Sequence, residues 1–177
     1  MDTGHGKWVA LLRGVNVGGH NKVPMVDLRT LASGLGWRGV RSYIASGNLV
    51  FDAEGNSNGL ASTLRNALQD HMNIDVPVLV RTGTDVCAAH DACPWNVAGN
   101  LAHLFWCWDD PQPDHRQIDA LKAADEDLVI HGRSVWLHAP SGVARSKLMA
   151  KMEQVLGVSA TARNLNTVRK LAEMVRD

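Results

Sequence analysis

Between Arg13 and Pro24 the chain reads Arg13-Gly14-Val15-Asn16-Val17-Gly18-Gly19-His20-Asn21-Lys22-Val23-Pro24, a polar, glycine-broken stretch rich in hydrogen-bond donors. The chemistry these residue types suit is anion binding. Backbone N–H groups at Gly18 and Gly19, the Lys22 ammonium and the positive end of a following helix would converge on one spot. Arg13, Asn16 and Asn21 add side-chain donors, and His20 adds an imidazole beside them. Gly14 and Gly19 have the spacing of P-loop glycines, but His20-Asn21 stand where Lys and Ser/Thr should follow. The dinucleotide fingerprint is also missing, since Asn16 replaces its second glycine. Both absences argue against a classical nucleotide hydrolase or dehydrogenase. The competing reading is structural: the glycines turn the chain, and Asn16 and Asn21 bond to their own backbone.

A second concentration of polar groups, Arg163-Asn164-Leu165-Asn166-Thr167, sits at the start of an expected helix and could share the first loop's ligand. Arg163 has the fork geometry for a phosphate or carboxylate, with Asn166 and Thr167 as amide and hydroxyl contacts. Its structural alternative makes Asn166 or Thr167 a helix cap and pairs Arg163 with a surface acid. Ser46-Gly47-Asn48 reads as a hairpin turn, expected at the sheet end where the first strand begins, away from the glycine-rich loop. Cys87, His90 and Cys93 are spaced for neighbouring helical positions, but no paired ligand segment accompanies them, so no metal is expected. No cofactor is implied either. Ser46, Ser141 and Ser146 lack a nucleophile-elbow context, and no base and orienting group stand beside them in the sequence.

The elements that must hold these residues follow from periodicity. Trp8 to Leu12 is apolar without alternation, as in a strand covered on both faces. Leu28, Leu31 and Leu35 recur at helical spacing from about Pro24, which suits a first helical position, to Ser33. Val40–Ala45 and Leu49–Phe51 read as a hairpin; Leu60, Leu64, Leu68 and Met72 mark a second helix, and Val76–Val80 a fourth strand. That order is βαββαβ, the ferredoxin-like arrangement. A linking helix over Asp85–Cys93, capped by Thr84 and stopped by Pro94, leads into a second pass. Leu101–Trp108, a helix with Ile118 and Leu121, a hairpin around Gly132-Arg133, a helix from Ser146 to Gly157, and Val158–Ala162 repeat the order. A last helix carries Val168, Leu171 and Val175. The fold expected is α+β, with tandem ferredoxin-like units over 1–93 and 94–177 and a C-terminal helix on the second.

The chain of 177 residues is 45% hydrophobic and 20% charged, with 18 Lys+Arg against 18 Asp+Glu. Such a balance disfavours a broad nucleic-acid-coating surface. From Arg133 onward, however, eight Lys/Arg face three acids, while seven acids crowd positions 109–127. A local basic face and a pair of solvated helices both fit that asymmetry. No apolar run has the length of a membrane span, and Met1 leads into a polar start without a signal-peptide core. Three cysteines, Cys87, Cys93 and Cys107, give no disulfide framework and point to a reducing cytoplasm.

Ala10-Leu11-Leu12-Arg13-Gly14-Val15-Asn16-Val17-Gly18-Gly19, Asn21-Lys22-Val23-Pro24-Met25, Tyr43-Ile44 and Ser46-Gly47-Asn48 resemble the bacterial family called domain of unknown function 1697. Ser146-Lys147-Leu148, Leu156-Gly157-Val158, Ala160-Thr161-Ala162-Arg163-Asn164, Asn166-Thr167-Val168 and Lys170-Leu171 continue the resemblance along nearly the whole chain. Leu165 and Ala45 depart from it, standing where the family usually has Trp and Gln. The resemblance implies a tandem of ferredoxin-like units and carries over no catalytic residues. The function expected from the residues is binding of a phosphate-bearing small molecule, a nucleotide or phosphometabolite, at the Gly18-Gly19 loop. RNA ranks lower because only Tyr43 and Phe51 offer aromatic surface on the first unit's strands. The alternatives are a structural or interaction module, with Trp95, Trp106 and Trp108 packing the two units or a second subunit as in a homodimer, and an enzyme using His20 as acid–base.

Overall fold

A computed structural model describes residues 4–177; the polar start at Met1 lies outside them. The first unit is built from β1 (Gly4–Leu12), α1 (Met25–Gly34), β2 (Arg38–Tyr43), β3 (Asn48–Gly55), α2 (Ser57–Met72) and β4 (Val78–Thr82). Its strands form one antiparallel sheet in the order β2-β3-β1-β4. Alternate β1 residues Trp8, Ala10 and Leu12 join Leu28, Leu64, Leu68 and Phe51 in the helix-covered core. Val9 and Leu11, pointing to the opposite face, are equally buried. That two-sided burial is why β1 carries an unbroken apolar run, and each such side chain contributes about 1.5–3 kcal/mol. Trp37 stacks on Phe51 with ring centroids 3.9 Å apart.

The second unit repeats the order with β5 (Ala102–Cys107), α4 (His115–Leu121), β6 (Asp127–His131), β7 (Ser134–His138), α5 (Lys147–Ala150), α6 (Met152–Leu156) and β8 (Ala160–Asn164). Its antiparallel sheet runs β6-β7-β5-β8 over a core of Phe105, Cys107, Ile118, Val135, Leu137, Leu148 and Leu156. The chain is therefore α+β, with two four-stranded antiparallel sheets and seven α-helices among the described residues. These include α3 (Gly83–Asp91) and α7 (Leu165–Arg176). By backbone proximity the first unit ends at Cys87 and takes in Lys170–Asp177, while the second spans Ala88–Arg169. The sequence pattern puts the boundary at Cys93–Pro94 and all of α7 in the second unit.

Four local expectations are corrected. Pro24 is the cap of α1, extended at φ −60° and ψ 134°, and Met25 is the first helical residue. Thr82, not Thr84, caps α3, its hydroxyl accepting from the Asp85 N–H at 3.0 Å. The helix expected from Ser146 to Gly157 begins and ends there, with Ser146 Oγ accepting from Met149 N–H and Gly157 left-handed at φ 66°. It is broken in two at Lys151, whose φ of −114° interrupts the helical path. Strand β8 lies two residues beyond the expected Val158–Ala162, which changes the fate of Arg163 and Asn164.

Among the described residues, His103 Nδ1 and Trp106 Nε1 are buried without a hydrogen-bond partner. Burial pushes the His103 pKa below the ordinary histidine value. The fold thus holds the ring neutral where the unfolded chain takes up a proton, so stability is full above pH 6.5 and falls as acid is added through the folded pKa. We expect the urea midpoint to drop between pH 7 and 5 and His103→Phe to flatten that slope. An equally steep slope in the variant would assign the acid sensitivity to other groups.

Candidate functional site

The glycine-rich loop leaves the end of β1 at a point where three segments meet. Leu12 N–H donates to Gly47 O at 2.9 Å, and Arg13 N–H to Pro77 O at 3.0 Å. Antiparallel pairing places the end of β1 opposite the start of β3, Leu11 facing Asn48. The β2–β3 turn therefore lies beside the loop, which overturns the expectation that it sits at the other end of the sheet.

Asn16 ties the junction together. Its Oδ1 accepts from Val23 N–H at 2.8 Å; its Nδ2 donates to Val23 O at 2.9 Å and to Ala45 O at 2.7 Å. One side-chain amide thus satisfies both backbone groups of a buried valine and reaches the neighbouring turn. Asn16 adopts φ 55°, a left-handed conformation that Asn tolerates better than most residues. Within the loop Asn16 N–H donates to Asn21 O and His20 N–H to Val17 O, both at 3.0 Å. Gly18 and Gly19 at φ 58° and 76° supply the two positive values that a type I′ turn requires. Asn21 Nδ2 closes back on Gly14 O at 3.2 Å. The result is a miniature hairpin anchored by buried Val15 and Val23, with Val17–Lys22 exposed at its tip.

The tip is electropositive by composition. No acid occurs between Lys7 and Val26 or between Arg38 and Phe51, the two stretches that build this end of the sheet. Asp75, the acid just before β4, is bonded to Arg65 at 2.6 Å, and each partner shifts the other's pKa toward its charged form. The Gly18 and Gly19 amides donate to no described protein acceptor. Arg13, His20 and Lys22 belong to the same loop, with Arg13 half-buried and the other two exposed. Val17, Val26 and Ile44 are large apolar residues left 65%, 62% and 49% exposed in the loop, α1's first turn and the β2–β3 turn.

Arg163, Asn166 and Thr167 belong to the second unit and are arranged otherwise than the sequence suggests. Arg163 lies within β8 opposite Leu104 and is 8% exposed. Its Nη1 donates to Thr161 Oγ1 and to Ala162 O, each at 2.9 Å. Burial pulls its pKa down to about 10. The cap of α7 is Asn164, whose Oδ1 accepts from Thr167 N–H at 3.0 Å, so neither Asn166 nor Thr167 takes that role. Thr167 is buried, and exposed Asn166 packs on Gly99, where an added Cβ would lie 2.0 Å from its Oδ1. Cys87 and Cys93 donate weakly to the carbonyls of Ala172 and Trp95, and His90 Nδ1 meets Asp91 Oδ1 at 2.9 Å. No group of three His, Cys, Asp or Glu among the described residues is placed to hold a metal.

The second unit has its own version of the β1 junction. Cys107 N–H donates to Arg133 O at 2.8 Å, as Leu12 does to Gly47, while Arg133 bonds Asp110 at 2.9 Å and Trp108 O at 3.1 Å. An acidic connection there stands where the first unit has its cationic hairpin. The paired junctions went unread in the sequence because they are cross-strand contacts of 29 or more residues in unit 1 and 23 or more in unit 2. The one local signal was an asparagine seven residues before Val23 in a glycine-rich turn.

Fold and junction together define an α+β protein with two four-stranded sheets, the first bearing a braced, cationic hairpin beyond a central strand. The chain belongs to the family described as "Protein of unknown function (DUF1697)", whose profile matches residues 6–136. Among solved structures it is similar to the conserved bacterial protein SP0830 from Streptococcus pneumoniae, at 24% identity and a TM-score of 0.74. That likeness covers 97% of this chain and 99% of the other, and at this identity it speaks for the fold. No curated protein matches the chain. No helix among the described residues is long and apolar enough to cross a membrane.

Proposed function

We propose that the hairpin tip binds a phosphate-bearing small ligand, a nucleotide or phosphometabolite, with Lys22, His20, Arg13 and the Gly18 and Gly19 amides as its contacts. The observation that carries this reading is the bracing: Asn16 and Asn21 are spent on backbone groups, so the tip is ordered before a ligand arrives and loses little entropy on binding. In this reading both asparagines position the site. Arg163 and Thr167 support the second unit's sheet and last helix, and Asn166 is the one residue of that segment with an exposed amide. We read the two units as tandem ferredoxin-like βαββαβ folds, on their shared strand order. Three free cysteines fit a cytoplasmic protein. RNA stays the lesser reading, because Phe51 lies beneath Trp37 in the core.

A charge-assisted contact is worth about 1.5–3 kcal/mol, so Lys22→Ala should weaken such a ligand by about tenfold or more. A thermal-shift comparison of wild type and Lys22→Ala against ADP, a sugar phosphate and pyrophosphate tests this. A ligand at about 100 times its Kd stabilises the wild type by about 2.7 kcal/mol. Equal shifts in both proteins would remove the loop from the site.

The exposed Val17, Val26 and Ile44 favour a second reading, a protein partner or second copy docking on the same end of the first unit. Light scattering over a range of concentrations separates this reading from a monomeric small-ligand binder.

A further inference from the structure

We infer that the second unit carries a separate site for a small planar aromatic anion, in the groove between Trp95 and Arg169. This groove of about 390 Å³ is lined by His90, Asp91, Cys93, Trp95, Leu165 and Arg169. Its volume suits a single ring or a mononucleotide. Trp95 is half-buried and rests on His138, ring centroids 5.2 Å apart and planes tilted by 34°, so the indole is held in place while part of it lines the groove. A fixed indole is a stacking platform for a flat ring.

Arg169 supplies the charge. It stands in the second turn of α7, and its described hydrogen bond is a long one, from Nη2 to Val97 O at 3.3 Å. Most of its donor fork is thus left for a ligand, in the geometry that matches a carboxylate or phosphate. Asp91, the one acid in the lining, is engaged by His90 at 2.9 Å, which tempers its repulsion of an anion. Leu165 is 2% exposed and forms an apolar wall. Aromatic floor, apolar wall and one cation select a flat ring bearing one acidic group. Both an aromatic carboxylate and a nucleoside monophosphate have that chemistry.

The probes are 2-aminobenzoate and AMP, with cyclohexanecarboxylate as an anion without an aromatic ring, titrated calorimetrically into the full chain. Saturable binding of either aromatic probe is expected, at least tenfold weaker in Arg169→Gln, partly restored in Arg169→Lys and lost in Trp95→Leu. Preference for 2-aminobenzoate or for AMP names the source of the anion. Arg169→Gln should lose 2-aminobenzoate binding while keeping the wild-type response to pyrophosphate, which has no ring to stack, and this separates the groove from the hairpin site. Should Trp95→Leu fail to fold, the ring-proton resonances of His138 in wild type give the same answer by shifting on titration. Absence of saturable binding by both aromatic probes, equal binding of cyclohexanecarboxylate, or undiminished affinity in Arg169→Gln would overturn the assignment.

Discussion

Asn16→Ala should unfold at a markedly lower urea concentration than the wild type, with a loss of about 3–4 kcal/mol. The deletion removes three hydrogen bonds at once, at 2.7, 2.8 and 2.9 Å. It leaves the N–H and C=O of Val23, a residue 1% exposed, without their partner. Each buried unsatisfied group costs about 1–3 kcal/mol. Alanine at φ 55° adds left-handed strain of about 1–2 kcal/mol. Asn16→Gly relieves the strain without restoring the bonds, so it should recover only about 1 kcal/mol. Asn16→Asp keeps an acceptor for Val23 N–H and loses both donations. A loss below about 1 kcal/mol in Asn16→Ala would mean that the hairpin is not braced through this side chain.

Gly47→Ala is expected to cost about 3 kcal/mol by a different route. An added Cβ would lie 2.8 Å from both Leu12 Cβ and Val15 Cγ2, and Gly47 already adopts φ +88°. Leu12 and Val15 are 0% and 1% exposed and have no room to retreat. Overpacking of a full core costs about 1–3 kcal/mol, and the left-handed backbone adds about 1–2. Gly18→Ala is the control, because at φ +58° its Cβ meets nothing nearer than His20 Cδ2 at 3.8 Å and only the strain is felt. Thermal unfolding should rank Gly47→Ala well below Gly18→Ala; similar melting temperatures would contradict the close approach of the β2–β3 turn to the loop. Since Gly47 O holds the Leu12 N–H, the substitution should also weaken the proposed anion binding without touching a proposed contact residue.

The regular elements were largely legible because each announces itself within a few residues. Trp8 to Leu12 reads as a two-sided strand, and Leu60, Leu64 and Leu68 as one helix face. The duplication of the βαββαβ order was likewise visible. Boundaries went astray where a cap or a strand end depends on a single polar group. The pattern ends the last strand at Ala162 and puts the cap at Asn166 or Thr167, whereas Asn164 is both the last residue of β8 and the cap of α7. That two-residue shift puts Arg163 inside the strand, where it is 8% exposed. In the loop, pattern gave the glycines and the cations, and the behaviour of Asn in turns gave the alternative role for Asn16 and Asn21. What pattern could not give is the reach of Asn16 to Ala45, 29 residues away, or the packing of Gly47 on Val15. Trp95 and His138, 43 positions apart, are beyond local reading for the same reason.

The most direct test of the proposed site is a proton–nitrogen correlation spectrum of the labelled protein titrated with ADP, and separately with pyrophosphate. The account predicts progressive, saturable shifts of the Gly18, Gly19 and Lys22 amides, with the Asn16 side-chain amide little changed because its bonds are already made. Shifts confined to other segments, or a loop whose amides stay fixed up to millimolar ligand, would contradict it.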